Sequence, residues 1–315
     1  MSFDAVGFGA LNVDKLYRVN RIACKDEESY IKSLAESCGG SAANTIVGMS
    51  RLGLKTGFIG KVAQDEEGKL LTEHLKNEGV DTANVTLEEG RSGVVNGFVD
   101  EGGQRALYVD TGVNDLIEGE EVNESYLDSL KVLHLTSFVG KFTDKSIEAQ
   151  KNLLKKISDD VCVSLDPGML YAERGMGFLE EFLTRTNVVL INEAELNLLT
   201  GEQLTGKRGQ HTLKTCHDGS QVLLEYGVSV VAVKCGERGA YVTDGNQSHF
   251  KDIFKVQCVD ATGAGDAFNA GFLYGLIKGE NLEKSCLMGN FVASRCVEKP
   301  GATMGLPTNI SSKIF

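Results

Sequence analysis

Long apolar runs are missing from this sequence of 315 residues. None approaches the roughly 18 residues that a membrane-spanning helix needs, which excludes a helical membrane protein. The first ten residues have neither a basic stretch nor a small-residue cleavage site, so no secretory leader is expected and the cytoplasm is the expected location. Basic charge is also short. Lys and Arg number 32 against 44 Asp and Glu, a net charge of −12. Such a chain repels nucleic acid, and no Lys/Arg stripe offsets the repulsion. A small anion would have to be held by local N–H groups and a metal, not by the field of the whole protein. Neither membrane nor nucleic acid is expected as a partner.

There are only three prolines, and no linker rich in Pro, Gly or Ser, no low-complexity tract and no internal repeat. One domain over 1–315 is expected, a length normal for a large α/β domain with an appendage. The eight cysteines form no CxxC pair. Several lie in apolar strand or helix patterns, as reduced, buried thiols do. Cys216 and His217, with His211 nearby, match no zinc spacing, and no metal is expected there.

What is present is an ordinary soluble composition, 42% apolar and 24% charged, arranged in βα alternation. Asp4 to Ala10 reads as a first buried strand. Strands are expected at 57–62, 131–136, 161–165, 187–191 and 229–233, and helices at 66–77, 143–157, 176–184, 193–200 and 218–226. Such a rhythm implies a parallel sheet with helices on both faces. The segment 201–217 is the loosest. Four alternating segments, two within about 15–36 and two within 91–110, lack covering helices. They predict a small antiparallel sheet set apart as a lid, with an exposed face suited to homodimer formation.

The motif with most chemistry is Asp260-Ala261-Thr262-Gly263-Ala264-Gly265-Asp266. It follows an extended segment and opens a helix running to Lys278, ahead of a last helix from Leu282 to Val297. Glycines let backbone approach a ligand, and free N–H groups at a helix start form an anion site. An acid inside that cradle is either a helix cap or a base that takes a proton from an attacking hydroxyl. A second motif, Gly39-Gly40-Ser41-Ala42-Ala43-Asn44, opens a helix of small residues that runs to Leu52. It is either close packing or a ligand contact through backbone and the Asn44 amide. Asn12 and Asp14 follow the first strand, where open α/β sheets bind ligands, and suit a pair of sugar hydroxyls or a plain polar turn. Asn192 and Glu195 share a helix face at another strand end. They suit a hydrated Mg2+ or the helix dipole. Lys234, Gly236 and Gly239 form either a hairpin turn or the floor for a nucleotide's phosphates.

Two tempting motifs fail. Gly7 to Asn12 lacks the third glycine of a dinucleotide fingerprint, and an extended segment follows it. Gly201 to Arg208 has P-loop spacing, but Arg208 stands where a hydroxyl must reach Mg2+, and the loop follows a helix.

With these pieces in order, the chain resembles the ribokinase (PfkB) family of carbohydrate kinases from Gly9 to about Pro307. Gly39–Asn44 and Asp260–Asp266 carry the resemblance. Asn12 with Asp14, Gly60–Asp65–Gly68, Asn192 with Glu195, and Gly236–Gly239 echo it in the family's order. The resemblance implies a three-layer α/β/α sandwich with a mainly parallel central sheet and a small β lid. It implies transfer of the ATP γ-phosphate to an alcohol. Asp266 is implied as the base, and the N–H groups of Gly263, Ala264 and Gly265 as the anion hole. Asn192 and Glu195 would position Mg2+ through water. Asn12, Asp14, Gly39, Gly40 and Asn44 would hold sugar hydroxyls, Lys234, Gly236 and Gly239 would line the nucleotide side, and Asn290 would face adenine. Some members use K+, whose carbonyl ligands would here be Asp260 and Thr262. Ala261 replaces the Thr, Pro or Ser more usual in the family after the first Asp, and Asp166-Pro167-Gly168 lacks the Asn and the following Arg of many of its sugar kinases. The second departure leaves room for a nucleoside kinase, which would need an apolar or aromatic wall such as Phe98, Tyr108 or Phe138.

Overall fold

The structure is a computed structural model describing residues 2–201 and 212–310. The chain opens with β1 (Ala5–Phe8), then a hairpin of β2 (Asn12–Val19) and β3 (Ile31–Gly39). Helix α1 (Ser41–Arg51), β4 (Thr56–Ala63), α2 (Glu66–Asn77) and β5 (Val80–Glu88) follow. A second hairpin joins β6 (Gly93–Val99) and β7 (Arg105–Asp110). Next come β8 (Val132–Thr136), α3 (Lys145–Lys156), β9 (Cys162–Asp166), α4 (Gly168–Ala172) and α5 (Met176–Leu183). The chain continues through β10 (Val188–Asn192), α6 (Glu193–Thr200), α7 (Thr212–Glu225) and β11 (Val230–Lys234). It ends with β12 (Ala240–Thr243), β13 (Ser248–Lys251), α8 (Ala264–Ile277) and α9 (Leu282–Cys296).

The main sheet has the order β13-β12-β11-β10-β9-β8-β1-β4-β5. It is parallel except where β12 and β13 turn back at one edge. Its inner strands are apolar on both sides, as a sheet covered on both faces requires. Along β10, Val188 and Leu190 point into the core beneath α1, α8 and α9, while Val189 and Ile191 point into the core beneath α3, α5 and α6. These are the expected three layers. They bring the carboxyl ends of β1, β9, β10 and β11 to one rim.

Three expectations need correction. The lid sheet, ordered β3-β2-β6-β7, is mixed rather than antiparallel. β2 runs parallel to β6 because α1, β4, α2 and β5 intervene between the two hairpins. Edge strand β5 was not foreseen, because its mostly half-exposed residues carry few apolar positions. Helix α7 begins at Thr212 rather than 218. Gly219 within it lowers the helical signal, yet the close approach of Leu196 leaves no room there for a larger residue. The rejected P-loop and His211 fall largely or wholly outside the described residues.

The echo Gly60–Asp65–Gly68 serves the lid's attachment. Asp65 caps α2 through the Gly68 N–H at 2.8 Å, and accepts from Ser92 N–H and Oγ at 2.7 and 2.6 Å just before β6.

Candidate active site

The two glycine motifs, far apart in sequence, meet at their helix starts. Asp266 lies in the first turn of α8, behind Gly263, whose φ of 74° is left-handed. A Cβ at Gly263 would also lie 2.5 Å from the Cβ of Ala302, so glycine is required twice over. Gly40, with φ 117°, starts α1 and passes so near the Ala10 carbonyl that a Cβ would lie 2.2 Å from its oxygen. The Asp266 carboxylate accepts from Ser41 Oγ at 2.6 Å and from Asn44 Nδ2 at 2.8 Å. Burial pushes its carboxyl up to about 6; those two bonds oppose the shift and the Asp166 charge adds to it.

On one side of Asp266 lie the residues of the first hairpin. Asn12 pairs with Gly39 in the β2–β3 ladder, and Asp14 lies next along β2 on the same face. Asp14 is packed so closely against Gly39 that a Cβ there would lie 2.3 Å from its Oδ2. Burial pushes the Asp14 carboxyl up to about 6. Asn12 Oδ1 accepts from Asn114 Nδ2 at 3.0 Å, and Asn114 also bonds both backbone groups of Leu11 at 2.9 Å. The face of the lid that carries Asp14 continues through Leu16 and Arg18 to Val95 and Gly97 and to Arg105, Leu107 and Val109. Phe98 and Tyr108 lie on the opposite face, where Tyr17 stacks on Phe98 at 4.9 Å. Phe138 is in the main core, edge-on to Phe8 at 5.9 Å. The aromatic wall considered for a nucleobase is therefore absent from the Asp14 side.

On the other side, β11 delivers Lys234. Its ammonium donates to Asp166 Oδ2 at 2.6 Å and to Asn269 Oδ1 at 3.3 Å, while Asn269 Nδ2 donates to the same Asp166 oxygen at 2.7 Å. Burial disfavours both charges. The Lys234 ammonium nevertheless holds Asp166 below the usual carboxylate range, and Asp166 with Glu195 holds Lys234 above the usual ammonium value. Asn192 is register-paired with Lys234. Asn192 and Glu195 cap α6 reciprocally: Asn192 N–H donates to Glu195 Oε2 at 3.0 Å, and Glu195 N–H to Asn192 Oδ1 at 2.9 Å. Burial, then the Asp166 charge, raises the Glu195 carboxyl. One ammonium thus faces three carboxylates, Asp166, Glu195 and Asp266.

Beside this cluster opens a cavity of about 420 Å³ lined by Lys234, Gly236, Gly239, Gly265, Phe254 and Asn290 among others. Phe268, Val256 and Val297 add apolar wall, the lining expected for a flat aromatic ligand. Asn290 Nδ2 is held by the Lys251 and Asp252 carbonyls at 2.9 and 3.1 Å, which leaves its carbonyl oxygen for a ligand. Asp260 accepts from Thr262 N–H and Oγ1 at 2.9 and 2.7 Å and from Gly301 N–H at 2.8 Å. Against burial, those bonds and the Arg18 charge keep its carboxyl low. The Thr262 carbonyl faces the Cys296 thiol at 3.7 Å.

Asn269 and Asn114 were not named from the sequence, and Ser41 and Asp166 were named only inside motifs, without a role in the site. Asp166 ends a strand as Asn192 does, and Asn269 lies one turn beyond Asp266. Both signals were readable. Nothing local marks Asn114.

Comparison with known proteins agrees with this geometry. Residues 3–309 match the model of the pfkB family carbohydrate kinases. An uncharacterized sugar kinase of Archaeoglobus fulgidus is 42% identical over 84% of this chain and all of its own length. An ATP-dependent ribose-1-phosphate kinase of Halopiger xanaduensis is 32% identical, covering 93% of this chain and 92% of its own. The ribokinase of Arabidopsis thaliana, solved with ribose and ATP, superposes with a TM-score of 0.85 at 25% identity over 98% of this chain and 96% of that one. The chain belongs to the PfkB family of carbohydrate kinases and is a kinase with the ribokinase fold.

Proposed function

We propose that the protein transfers the γ-phosphate of ATP to a hydroxyl of a small sugar, with Asp266 as general base. The observation that carries this reading is the position of the Asp266 carboxylate, gripped by Ser41 and Asn44 between the Asn12/Asp14 side and the cavity beside Gly265. A carboxyl near 6 is mostly ionised at neutral pH yet basic enough to accept a proton as a hydroxyl attacks. Asn12, Asp14 and Asn44, with the backbone of Gly39 and Gly40, hold the sugar. The N–H groups of Gly263 and Gly265 face the transferring phosphoryl group, where such donors stabilise developing charge, whereas that of Ala264 donates to the Ala261 carbonyl at 3.2 Å. Lys234, Gly236 and Gly239 line the phosphate path, and Asn290 offers its carbonyl to the base. Closure of the lid excludes water that would otherwise take the phosphoryl group.

A divalent cation fits this donor set. Glu195 is strained by burial and by Asp166, and a single ammonium faces three carboxylates, so positive charge is wanted there. Mg2+, when bound, would be held through water by Glu195 beside Asn192 and would neutralise phosphate charge. A monovalent cation at Asp260 and Thr262 fits less well. Hard cations gather oxygens, whereas the Thr262 carbonyl faces the Cys296 thiol.

The Asp14 face of the lid mixes Asp14, Arg18 and Arg105 with the aliphatic Leu16, Val95, Leu107 and Val109. It carries none of the three aromatic residues considered for a base, which favours a sugar over a nucleoside. Arg18 and Arg105 on that face suit a substrate that already carries a phosphate, as the name of the Halopiger relative suggests. The opposite lid face exposes Ile31, Leu34 and Tyr108 and suits a homodimer contact, which sedimentation of wild type against a Tyr108→Lys chain tests. ADP release over a panel of free sugars, sugar phosphates and nucleosides tests the substrate reading. Turnover with a sugar or sugar phosphate supports it. Turnover with nucleosides alone replaces it by the nucleoside-kinase reading, and no turnover with any alcohol overturns both.

A further inference from the structure

The sequence motif around Cys216 acquires partners only in the fold. Cys216 on α7 and Cys235 at the end of β11 bring their sulfurs to 3.8 Å. Both are buried, with 1% and 3% exposure. The third group is Glu193, the first residue of α6. Its Oε2 pairs with Arg238, while its Oε1 is buried with no hydrogen-bond partner. All three groups offer ligand atoms within 4.8 Å of one another. His217 is not among them; its Nδ1 meets the Tyr241 hydroxyl at 3.2 Å. Cys235 Sγ also reaches the Val233 carbonyl at 3.5 Å.

We propose that Cys216, Cys235 and Glu193 form a binding site for a thiophilic divalent cation of the Zn2+ class, separate from the phosphoryl-transfer centre. Two Zn–S bonds of about 2.3 Å at a tetrahedral angle put their sulfurs about 3.8 Å apart, which matches the observed separation. A disulfide needs about 2.05 Å. An ionised carboxylate oxygen left unpartnered in a buried position is costly, and a cation at this point gives Oε1 a partner while Oε2 stays on Arg238. Water completes four-coordination. The sequence alone could not show this set, because its ligands come from three elements: the start of α6, the middle of α7 and the end of β11.

Both thiols are displaced as protons on binding: two S–H bonds break, two S–metal bonds form, and two protons go to solvent. The thiol–thiol hydrogen bond, then burial, pushes the Cys235 thiol up. Because binding releases thiol protons, affinity rises with pH. The cation ties α6, α7 and β11 together one residue before Gly236, which lines the nucleotide cavity.

The test uses the full chain, stripped with chelator and kept in a non-thiol reductant. Zn2+ is titrated against a chromophoric chelator at several pH values, and Co2+ serves as the spectroscopic probe. The expected result is one tight equivalent per chain, thiolate-to-cobalt charge transfer with tetrahedral d–d bands, and affinity that climbs with pH. Cys216→Ser and Cys235→Ser each weaken binding by at least about tenfold, the loss typical even of an outer partner. A Cys24→Ser/Cys258→Ser chain, lacking the two exposed thiols, binds as wild type does. Should the buried variants fail to fold, that chain alone decides: a two-thiolate cobalt spectrum supports the site. An octahedral, oxygen-only spectrum, or affinity unchanged in a folded Cys216→Ser chain, overturns it.

Discussion

Replacing Asp266 with Asn should make the protein more stable and far less active. Burial raises the folded carboxyl from 3.8 to about 6. Each unit is worth about 1.4 kcal/mol, so the charged group opposes folding by roughly 3 kcal/mol at neutral pH, and partial exposure trims this to about 1–3. The sign follows from proton binding. Between 3.8 and about 6 the folded state holds more protons, so this group's penalty is absent at low pH and complete above 6. The amide never ionises and avoids it. Its oxygen accepts from Asn44 Nδ2 as before, and the Ser41 hydroxyl turns to accept from the new N–H. At roughly 2 °C per kcal/mol for a chain of this length, Tm should rise by a few degrees at pH 7, with the gain fading near pH 4. Turnover should fall by about 10²–10⁴, the usual contribution of a general base. Melting curves at the two pH values and steady-state ADP release are the assays. Turnover within tenfold of wild type would refute the base role. A lower Tm at pH 7 would refute the burial argument, whatever happened to activity.

Wild-type kcat/KM should fall on the acid side of about pH 6, where Asp14 and Asp266 take up protons; Asp14→Asn should raise the KM of the alcohol and leave that of ATP near its wild-type value. Lys234→Met strands the buried Asp166 carboxylate and should cost about 3–5 kcal/mol in urea unfolding, with much of the loss recovered in Lys234→Met/Asp166→Asn. His134 is buried neutral, with burial depressing it from 6.5 to about 4. The unfolded chain therefore takes up this proton first as pH falls, and roughly 3 kcal/mol of stability is lost between 6.5 and 4; His134→Gln should flatten that part of the stability–pH curve. Gly263→Ala forces a left-handed φ and a clash with Ala302, and should lower Tm by more than the roughly 1 kcal/mol of backbone strain alone.

The parts of the site that were legible in sequence are those that announce themselves locally. A glycine pair before a small-residue helix, or an acid inside a glycine loop, is a contiguous pattern with few physical uses. The contact between them was not legible, since Ser41 and Asp266 stand 225 residues apart. The Asp166–Lys234–Asn269 cluster was hidden for the same reason. Asn192 and Glu195 show a different limit. Their spacing serves a capping box and a hydrated cation equally, and the structure shows the capping box filled while the burial of Glu195 keeps the second use open. In the lid, period-two patterning revealed four strands but could not reveal that β2 and β6 run the same way, because strand direction in a pair depends on the path between them.

The register pair Asn12 and Gly39 holds the first residue of β2 and the last of β3. The β2–β3 hairpin therefore leaves and re-enters the body through Leu11–Asn12 and Gly39–Gly40, with Lys15 on β2 also paired to Glu67 on α2 at 2.8 Å. Any swing of that hairpin breaks the Lys15–Glu67 pair and turns the torsions of those links, one of which belongs to the glycine that starts α1, the helix that grips Asp266. The pivot and the grip are the same stretch of backbone. An alcohol that draws Asp14 inward pulls on the end of a short lever whose fulcrum sets the aim of the carboxylate, so a poorly seated ligand leaves the base misdirected before any phosphate moves.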